Sequence, residues 1–342
     1  MKIGIIGATG YTGSELVRIL ANHPEAEISY ITSEARAGEN FSDVHPQFEG
    51  IFHQNLISSN EIDNYDVELV FLALPHGVSM EFVKKNHKKG FKIIDLSGDF
   101  RLSSANLYAD WYKKVHIYPA GIENAVFGIP ELYREEIKYA KIIANPGCYP
   151  TSAILAITPL LKNNLSDNSP IIIDSKSGVT GAGVKAKAVT HFPNVNDNFK
   201  AYGLKNHRHT IEIQEQLNKH SEQDVIVQFT PHLLPVDRGI LTTAYLKPRK
   251  KIKEQDLIKI YKDFYKDSPF VRIRKNSPSI KDVRGTNYCD ISPFFDERTG
   301  MIIIISAIDN LVKGAAGQAV QNMNIASGWK EQTGLSHFPL NP

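Results

Sequence analysis

Short apolar runs alternate with amphipathic stretches in the first half of the chain. The run at Lys2–Ile6 predicts a buried strand, and the glycine-rich turn after it leads into a helix with four apolar residues between positions 16 and 20. Further strands are predicted at 28–31, 67–72, 92–96 and 141–144, with a helix at 79–88. Strands that alternate with helices are typical of an α/β fold with a doubly wound, mostly parallel sheet.

The pattern changes after residue 148, where strand-like runs recur with fewer helices between them. These runs lie at 171–175, 225–230, 241–246, 271–274, 288–291 and 301–307. They predict a second, α+β domain on a largely antiparallel sheet. A last helix is predicted at 315–326, and we expect it to return to the first domain. We therefore place the first domain at residues 1–147, completed by 310–342, and the second at 148–309.

Composition narrows the class of protein. A chain of 342 residues is longer than one ordinary hydrophobic core can organise, which predicts two domains. A content of 42% hydrophobic and 22% charged residues is typical of a soluble globular protein. The net charge of +2, with dispersed basic residues, argues against a nucleic-acid partner. Two cysteines cannot build a disulfide framework, which favours a reducing compartment. No apolar run is long enough for a signal peptide or a membrane span, so a cytoplasmic location is predicted.

A glycine motif follows the first strand and opens the first helix. Its glycines allow a tight turn and let the backbone approach a pyrophosphate at the helix N-terminus, as in a Rossmann-type dinucleotide site; a purely structural turn is the alternative. The residues concerned are Gly7, Thr9, Gly10, Tyr11, Thr12 and Gly13.

The end of the second strand bears on which dinucleotide binds. NAD-preferring sites carry a carboxylate there, whereas this chain has Ser33 with Arg36 close by. A hydroxyl and an arginine suit a 2′-phosphate. Glu34 keeps the choice open, but NADPH is favoured.

Cys148 lies in the segment 145–151, NPGCYPT. The residues before it read as the end of a strand, and those after it predict an apolar helix that runs to a break at Pro159. Pro150 suits the first helical turn. Unpaired N–H groups at a helix N-terminus favour a thiolate, so Cys148 is a candidate nucleophile. A small buried apolar side chain is the alternative.

A second group of reactive residues lies in segment 205–212, KNHRHTIE. His209 and Glu212 share one face if a helix begins here, and the carboxylate could then orient the imidazole as a proton carrier. His207 is a second candidate, and a surface histidine without catalytic role is the alternative for either. No further Cys or His stands at ligand spacing, so no metal site is predicted.

Two more segments follow predicted strands. Gly178 lies in the glycine-rich stretch 175–183, whose backbone could approach a cofactor; a flexible loop is the alternative. Arg101 follows the strand at 92–96, where ligands gather in α/β sheets. It is a candidate anion clamp, with a surface salt bridge as the ordinary alternative.

Together these segments resemble the N-acetyl-γ-glutamyl-phosphate reductases, relatives of aspartate-semialdehyde dehydrogenase that act in arginine biosynthesis. The resemblance runs nearly end to end, and the combination of NPGCYPT, HRHT and DNLVKGAAGQA is highly specific. It also includes GATGYTGSELVRIL, LALPHG, DLSGDFRL, SGVTGAG and TPHLLPVDRGI. One position departs, because Ile211 stands where the family usually has proline, which weakens the argument for a helix start near Glu212.

The resemblance implies the roles of the site residues. Cys148 would be the nucleophile, with His209 or alternatively His207 as acid/base. Cofactor contacts would fall to Gly10, Tyr11, Thr12 and Gly13, with Ser33 and Arg36 near the 2′-phosphate, Pro75 and Gly178 flanking the cofactor, and Asn310 near the nicotinamide. Arg101 would hold the substrate phosphate, and Arg238 is a candidate for a substrate carboxylate.

The implied reaction is the NADPH-dependent reduction of a small acyl phosphate through a cysteine thioester, by a homo-oligomer, either dimer or tetramer, with 148–309 as its catalytic and dimerisation domain. Aspartate-semialdehyde dehydrogenase and a reductase for the one-carbon-longer N-acetyl-aminoadipyl phosphate are alternatives. A non-catalytic NADPH sensor is a third, although a sensor would not need Cys148 together with the two histidines.

Overall fold

The computed structural model describes residues 1–167 and 169–341. Its strands are β1 (Lys2–Ile6), β2 (Glu27–Thr32), β3 (Leu56–Ile57), β4 (Leu69–Leu72), β5 (Lys92–Asp95), β6 (Ala125–Phe127), β7 (Ile142–Ala144), β8 (Ile171–Ser177), β9 (Lys200–Ala201), β10 (Val227–Leu233), β11 (Ile240–Leu246), β12 (Val271–Ile273), β13 (Cys289–Asp296) and β14 (Met301–Ile308). Its α-helices are α1 (Tyr11–Leu20), α2 (Phe41–Val44), α3 (Ser79–Asn86), α4 (Ala105–Tyr112), α5 (Pro119–Glu123), α6 (Pro130–Tyr139), α7 (Cys148–Lys162), α8 (Phe192–Val195), α9 (His209–Asn218), α10 (Glu254–Phe264) and α11 (Gly317–Ala326).

These elements form two compact units. The first contains Met1–Pro146 and Ala315–Ser336, and the second contains Gly147–Gly314 and, of the described residues after these, 337–341. The end of the chain therefore groups with the second unit, whereas the sequence placed it with the first. The reason is local: the Leu340 N–H donates to the Arg284 carbonyl at 2.9 Å.

The first unit is built on a seven-stranded sheet in the order β3-β2-β1-β4-β5-β7-β6. All of its strand pairs are parallel. The central strands β1 and β4 are almost entirely buried, as expected where helices cover both faces of a parallel sheet. The predicted doubly wound α/β fold is confirmed.

The second unit carries a mixed seven-stranded sheet in the order β12-β13-β14-β11-β8-β10-β9. The pairs at its centre are antiparallel, while β8–β10 and β12–β13 are parallel. Helix α7 packs on β11 and β14, and α10 packs on β13. The predicted α+β domain on a largely antiparallel sheet is confirmed, since four of the six strand pairs are antiparallel.

Helix α7 corrects one prediction. It continues through Pro159 to Lys162 instead of breaking there. A proline leaves the carbonyl four residues earlier without its helical donor, and here that carbonyl belongs to Leu155. The hydroxyl of Tyr265 donates to it, and the hydroxyl of Tyr261 donates to the next carbonyl, at Ala156. Donors from the neighbouring segment thus replace the missing N–H.

The last helix begins differently from the prediction at 315–326. A π-helical turn at Val312–Ala316 precedes α11, and Asp309 holds its start by accepting the Leu311 and Val312 N–H groups at 2.8 and 3.1 Å. Helix α11 packs on α1 and α6 in the first unit. Among the described residues, no helix has the length and apolar character needed to cross a membrane.

Candidate active site

Cys148 is the first residue of α7, and its thiol is half-buried. Gly147 precedes it as the N-cap with an extended backbone, and no side chain caps the helix. Gly314 packs on the other side, because a Cβ built there would lie 2.8 Å from Cys148 Cβ. The predicted placement of this cysteine at a strand-to-helix junction agrees with the structure, and the uncapped helix N-terminus favours a thiolate there.

His209 and Glu212 both contact Gly147, the residue before the cysteine. A Cβ built on Gly147 would lie 2.4 Å from His209 Nε2, so the imidazole packs directly against its Cα. The Glu212 carboxylate is fully buried, and its Oε1 accepts a hydrogen bond from the Gly147 N–H at 2.8 Å. Helix α9 begins at His209 despite Ile211, which places both side chains on its first turn.

His207 lies in a cage of aromatic rings. Its ring centroid is 4.8–5.8 Å from those of four neighbours, Tyr149, Tyr202, His209 and Phe229. Burial, with a smaller contribution from the charge of Arg208, lowers the pKa of His207 to about 4. Its Nδ1 accepts a hydrogen bond from the His209 N–H at 3.2 Å. His207 is therefore a neutral imidazole that caps the start of α9.

Two tyrosines complete this cage, and the sequence did not single them out. The Tyr202 hydroxyl donates to the Tyr149 hydroxyl, which donates to the His232 carbonyl, both at 3.1 Å. Burial raises the pKa of Tyr149, and that of Tyr202 to about 12, and the charge that Cys148 carries when it is ionised contributes less to both shifts. Both hydroxyls therefore stay protonated near neutral pH. Only the position of Tyr149 beside the cysteine gave a signal in the sequence.

Gly178, Arg238 and Asn310 are brought together in the second unit. Asn310 accepts the Gly239 N–H at 2.7 Å and donates to the Thr180 hydroxyl at 2.9 Å. The Gly178 N–H donates to the Gly239 carbonyl, so the glycine-rich stretch is held by hydrogen bonds. Arg238 Nη1 lies 3.4 Å from the fully buried Asp309 carboxylate.

The glycine turn of the first unit has the shape that a dinucleotide needs. Gly7 has a φ of +86°, and a Cβ on Gly13 would lie 2.3 Å from the Gly7 carbonyl oxygen, so neither position tolerates a side chain. Space is open at Gly10, where the nearest atom to such a Cβ is 4.0 Å away. Helix α1 starts beside it with no acidic residue in its first turn and no side-chain cap, which suits a phosphate.

The residues after β2 include Ser33 and Arg36, which the resemblance places near the 2′-phosphate. The Ser33 hydroxyl lies 3.2 Å from the Thr9 hydroxyl, next to the glycine turn. The carboxylate of Glu34 accepts hydrogen bonds from the side chain and the N–H of Ser59 and from the Ser58 hydroxyl, and these hydrogen bonds lower its pKa. Arg36 is exposed and pairs with Glu39 at 3.0 Å.

Arg101 is buried in the first unit and donates to two main-chain carbonyls, from Nε to Asn145 at 2.8 Å and from Nη2 to Leu96 at 2.7 Å. It thereby ties the end of β5 to the segment just before Cys148. Pro75 is exposed in a turn held by Asp99, whose carboxylate accepts the Gly77 N–H at 2.8 Å. Among the described residues, no three His, Cys, Asp or Glu side chains group as metal ligands would.

Known proteins match the chain along its whole length. The family model "Semialdehyde dehydrogenase, NAD binding domain" matches residues 2–140, and "Semialdehyde dehydrogenase, dimerisation domain" matches residues 148–310. An N-acetyl-gamma-glutamyl-phosphate reductase of Methanococcus maripaludis is 51% identical over 99% of both chains. Proteins of the same name from Pelotomaculum thermopropionicum and Methanocaldococcus jannaschii are each 50% identical over 100% of this chain and 99% of theirs. The chain belongs to the N-acetyl-γ-glutamyl-phosphate reductase family.

Solved structures place this reductase family member in the semialdehyde dehydrogenase fold. Aspartate semialdehyde dehydrogenase II from Vibrio cholerae superposes with a TM-score of 0.72 at 17% identity, covering 96% of this chain and 98% of its own. The Candida albicans enzyme, solved with NADP, gives 0.69 at 15% identity, covering 95% and 98%. At such identities the likeness concerns the fold alone. The predicted family and oxidoreductase class are confirmed by the closer sequence relatives.

Proposed function

We propose that this reductase converts N-acetyl-γ-glutamyl phosphate to N-acetyl-glutamate semialdehyde and phosphate with NADPH, in the cytoplasm, as a step of arginine biosynthesis. Relatives of about 50% identity carry that name over their full length. The observation that carries the chemistry is the half-buried Cys148 thiol at the start of α7, with the His209 imidazole packed against the preceding residue.

The first step belongs to Cys148. Its thiolate attacks the acyl carbonyl of the substrate, the C–O bond to phosphate breaks, and a thioester forms on the enzyme. The N-terminus of α7 favours the thiolate. Arg101 is assigned to the departing phosphate, because a guanidinium binds tetrahedral oxyanions and this one is held just after β5 by its hydrogen bonds to the Leu96 and Asn145 carbonyls.

The second step reduces the thioester. When bound, NADPH supplies the hydride. In this proposal the glycine turn and the N-terminus of α1 bind its pyrophosphate, and Ser33 with Arg36 binds the 2′-phosphate. Pro75, Gly178 and Asn310 are assigned to its nicotinamide end. The hydrogen bonds of Glu34 with Ser58 and Ser59 support NADPH, since they already occupy the carboxylate that an NAD-preferring site would use to bind the ribose hydroxyls.

His209 is assigned the role of general acid and base in this step. It protonates the alkoxide of the hemithioacetal that forms on Cys148 and takes the proton back as the C–S bond breaks, releasing aldehyde and thiolate. His207 is less suited, because a base with a pKa of about 4 binds protons weakly near neutral pH. Arg238 is assigned to the substrate carboxylate, with Asp309 fixing its guanidinium.

The reverse reaction tests this function. Purified protein is given N-acetyl-glutamate semialdehyde, phosphate and either NADP⁺ or NAD⁺, with aspartate semialdehyde and N-acetyl-aminoadipate semialdehyde as competing substrates. We expect phosphate-dependent reduction of NADP⁺ with the first substrate. Cys148→Ser should lose at least ~10³-fold in kcat while its affinity for NADPH is retained. Preference for another semialdehyde, or a variant within tenfold of wild type, would contradict the proposal.

We further propose that the second unit forms a homodimer through the open face of its sheet. On the face opposite α7, Ile172, Tyr245, Ile303 and Phe294 lie side by side across four strands. Within one chain Ile172 is 46% and Tyr245 37% exposed. Such a row of apolar side chains is what a second copy would cover, and the matched family model for residues 148–310 is a dimerisation domain.

Replacing Tyr245 tests this interface. Tyr245→Asp places a charge in the middle of the row and should convert the dimer to a monomer, measured by light scattering after size exclusion. Tyr139→Asp is the matched control, because Tyr139 is 86% exposed on α6 in the first unit and should leave the oligomer intact. A Tyr245→Asp variant that stays dimeric would place the interface elsewhere.

A further inference from the structure

We propose that Glu212 is a positioning residue for the nucleophile: its buried carboxylate holds the Gly147 N–H and so fixes the start of α7 relative to His209. This inference deepens the proposed function and rests on it. It differs from the role suggested by the sequence, in which the carboxylate orients the His209 imidazole.

The contact between Glu212 and Gly147 joins two elements that are 65 residues apart in the chain. The Glu212 side chain is entirely buried, where a carboxylate needs hydrogen-bond donors to offset its desolvation. The Gly147 N–H is such a donor at 2.8 Å, and the N-terminus of α9 adds favourable electrostatics for an acid in its first turn. Glu212 is thus anchored on α9 and reaches to α7.

Gly147 is held on both sides of its Cα. Its N–H donates to Glu212, and its carbonyl accepts the Thr151 N–H at 2.9 Å and the Thr151 hydroxyl at 3.0 Å. The next residue is Cys148. A shift of the Cys148 backbone would therefore strain or break one of the hydrogen bonds that Gly147 makes.

His209 lies on the same turn of α9 as Glu212 and packs against Gly147. One hydrogen bond therefore fixes the proton carrier and the nucleophile relative to each other. Because a misplacement of about 1 Å can cost on the order of 10²-fold in rate, this link has a direct effect on turnover.

A positioning role and a proton-carrying role require different chemistry at residue 212. Accepting the Gly147 N–H requires only an oxygen, and the side-chain carbonyl of glutamine supplies one at the same place. Carrying a proton, or pairing with an imidazolium, requires an ionisable carboxylate. The Glu212→Gln variant separates the two roles, and Glu212→Leu removes both.

The experiment compares full-length wild type, Glu212→Gln and Glu212→Leu, with Glu215→Gln as the control on the same helix. The measurements are kcat and KM for phosphate-dependent NADP⁺ reduction, the Kd for NADPH, and the rate of Cys148 alkylation by iodoacetamide at pH 7. We expect Glu212→Gln and Glu215→Gln to keep kcat within tenfold of wild type. Glu212→Leu should lose on the order of 10²-fold in kcat with the NADPH Kd unchanged.

Alkylation reports on the thiol without any substrate. Glu212→Leu should slow it roughly 2- to 5-fold, because a displaced thiolate loses stabilisation by the N-terminus of α7, whereas Glu212→Gln should not. If wild type fails to turn over the semialdehyde, the proposed function fails, and the alkylation comparison alone decides the role of Glu212.

Three results would overturn the inference: Glu212→Gln losing more than tenfold in kcat, Glu212→Gln being alkylated as slowly as Glu212→Leu, or a folded Glu212→Leu behaving like wild type. If Glu212→Leu does not fold, the kcat of Glu212→Gln decides between the two roles. A kcat within tenfold of wild type supports the positioning role. A loss of ~10²–10⁴-fold in kcat, as expected for a lost proton carrier, excludes the positioning role.

Discussion

His207 and His209 are two residues apart, yet their surroundings give them different chemistry. His207 is caged by aromatic rings, has a pKa near 4 and uses Nδ1 to accept the His209 N–H. An imidazole with that pKa is almost entirely neutral at pH 7 and is a weak base. His209 packs against Gly147, the residue before the proposed nucleophile Cys148. These surroundings support the proposed role of His209 as proton carrier, which the resemblance already preferred to the alternative, His207.

The two histidines should respond differently to asparagine. The Asn side-chain oxygen can accept the His209 N–H in place of His207 Nδ1, so His207→Asn should cost less than about tenfold in kcat. His209→Asn removes the proton carrier and should cost ~10²–10⁴-fold. Steady-state rates with saturating NADP⁺ and phosphate measure both effects. If His207→Asn proves the more damaging, the assignment within the pair is wrong.

Burial of neutral His207 also predicts acid sensitivity. Its pKa is about 4 in the folded protein and 6.5 in the unfolded chain, so the unfolded state binds more protons between those values. Stability should therefore fall as pH drops from about 6.5 to about 4, by up to about 3 kcal/mol from this residue. His220, whose pKa is also lowered to about 4, acts in the same window.

Urea unfolding at pH 7.5, 6 and 5 measures this dependence. His207→Asn should lose less stability on acidification than wild type, because asparagine does not titrate. Parallel losses in both proteins would mean that His207 is not held neutral by the fold.

At the scale of single residues, the sequence predicted the features that depend on neighbours in the chain. Pro-Gly before Cys148 and Pro150 after it mark a helix start within a few positions of the cysteine. The acceptor for the Gly147 N–H lies at Glu212, and the donor to the Tyr149 hydroxyl lies at Tyr202. Such partners are brought together by the packing of α9 and β10 beside α7, which no spacing in the linear chain encodes.

At the scale of elements, Pro159 shows how tertiary contacts override a local rule. A proline inside a helix removes one hydrogen bond, which made a break the natural prediction. The structure keeps the helix because the Tyr265 and Tyr261 hydroxyls donate to carbonyls of α7. Those tyrosines lie more than 100 residues after Pro159 in the chain, so the residues around the proline gave no sign that donors would replace the missing N–H.

Tyr265→Phe tests this explanation. It leaves the buried Leu155 carbonyl without that donor and should lower the free energy of unfolding by about 1–3 kcal/mol. In a Pro159→Ala background the restored N–H can serve the same carbonyl, so the loss should shrink. Tyr261→Phe is the matched control, since its acceptor Ala156 lies four residues before Leu160, which keeps its N–H. Equal losses from Tyr265→Phe in both backgrounds, measured by urea unfolding, would contradict the explanation.

Element length decided which strands could be predicted. The inner strands of both sheets have three to eight residues, and each overlaps a predicted run. The edge strands β3, β6 and β9 have only two or three residues, too few to form a recognisable alternation by themselves, whereas the three-residue edge strand β12 was predicted as part of the longer run 271–274. Each omitted strand pairs with a neighbour that was predicted, so the omission left the fold class unchanged.

At the scale of the whole molecule, the proposed reaction draws on both units. The glycine turn and Arg101 belong to the first, and Cys148 with the histidines belongs to the second. The chain passes from one unit to the other between Pro146 and Gly147, one residue before Cys148, the proposed nucleophile. The sequence predicted a boundary here because the alternation of strands and helices changes at this point. It could not predict that Arg101 holds the carbonyl of Asn145, one residue before that crossing.

In the reverse reaction the covalent mechanism requires phosphate to release the product from the enzyme, whereas direct hydride transfer has no such requirement. Oxidation of the semialdehyde leaves an acyl group on Cys148, and phosphate must then attack the thioester to release product. Without phosphate, NADP⁺ reduction should show a burst approaching one equivalent per active site and then slow to the rate of thioester hydrolysis. Phosphate should restore turnover, and arsenate should replace it, because both are tetrahedral oxyanions that an arginine can bind. Stopped-flow absorbance of NADPH measures the burst.

Arg101→Ala extends this prediction to the first unit. Because acylation does not involve phosphate, the variant should keep the burst while its phosphate requirement rises by roughly 10- to 100-fold, as for loss of a charge-assisted hydrogen bond. The urea midpoint is the control, because Arg101 also holds the Leu96 and Asn145 carbonyls. A lost burst in a protein of unchanged stability would assign Arg101 to acylation instead. Steady turnover without phosphate, at the rate seen with it, would exclude the acyl-phosphate reaction itself.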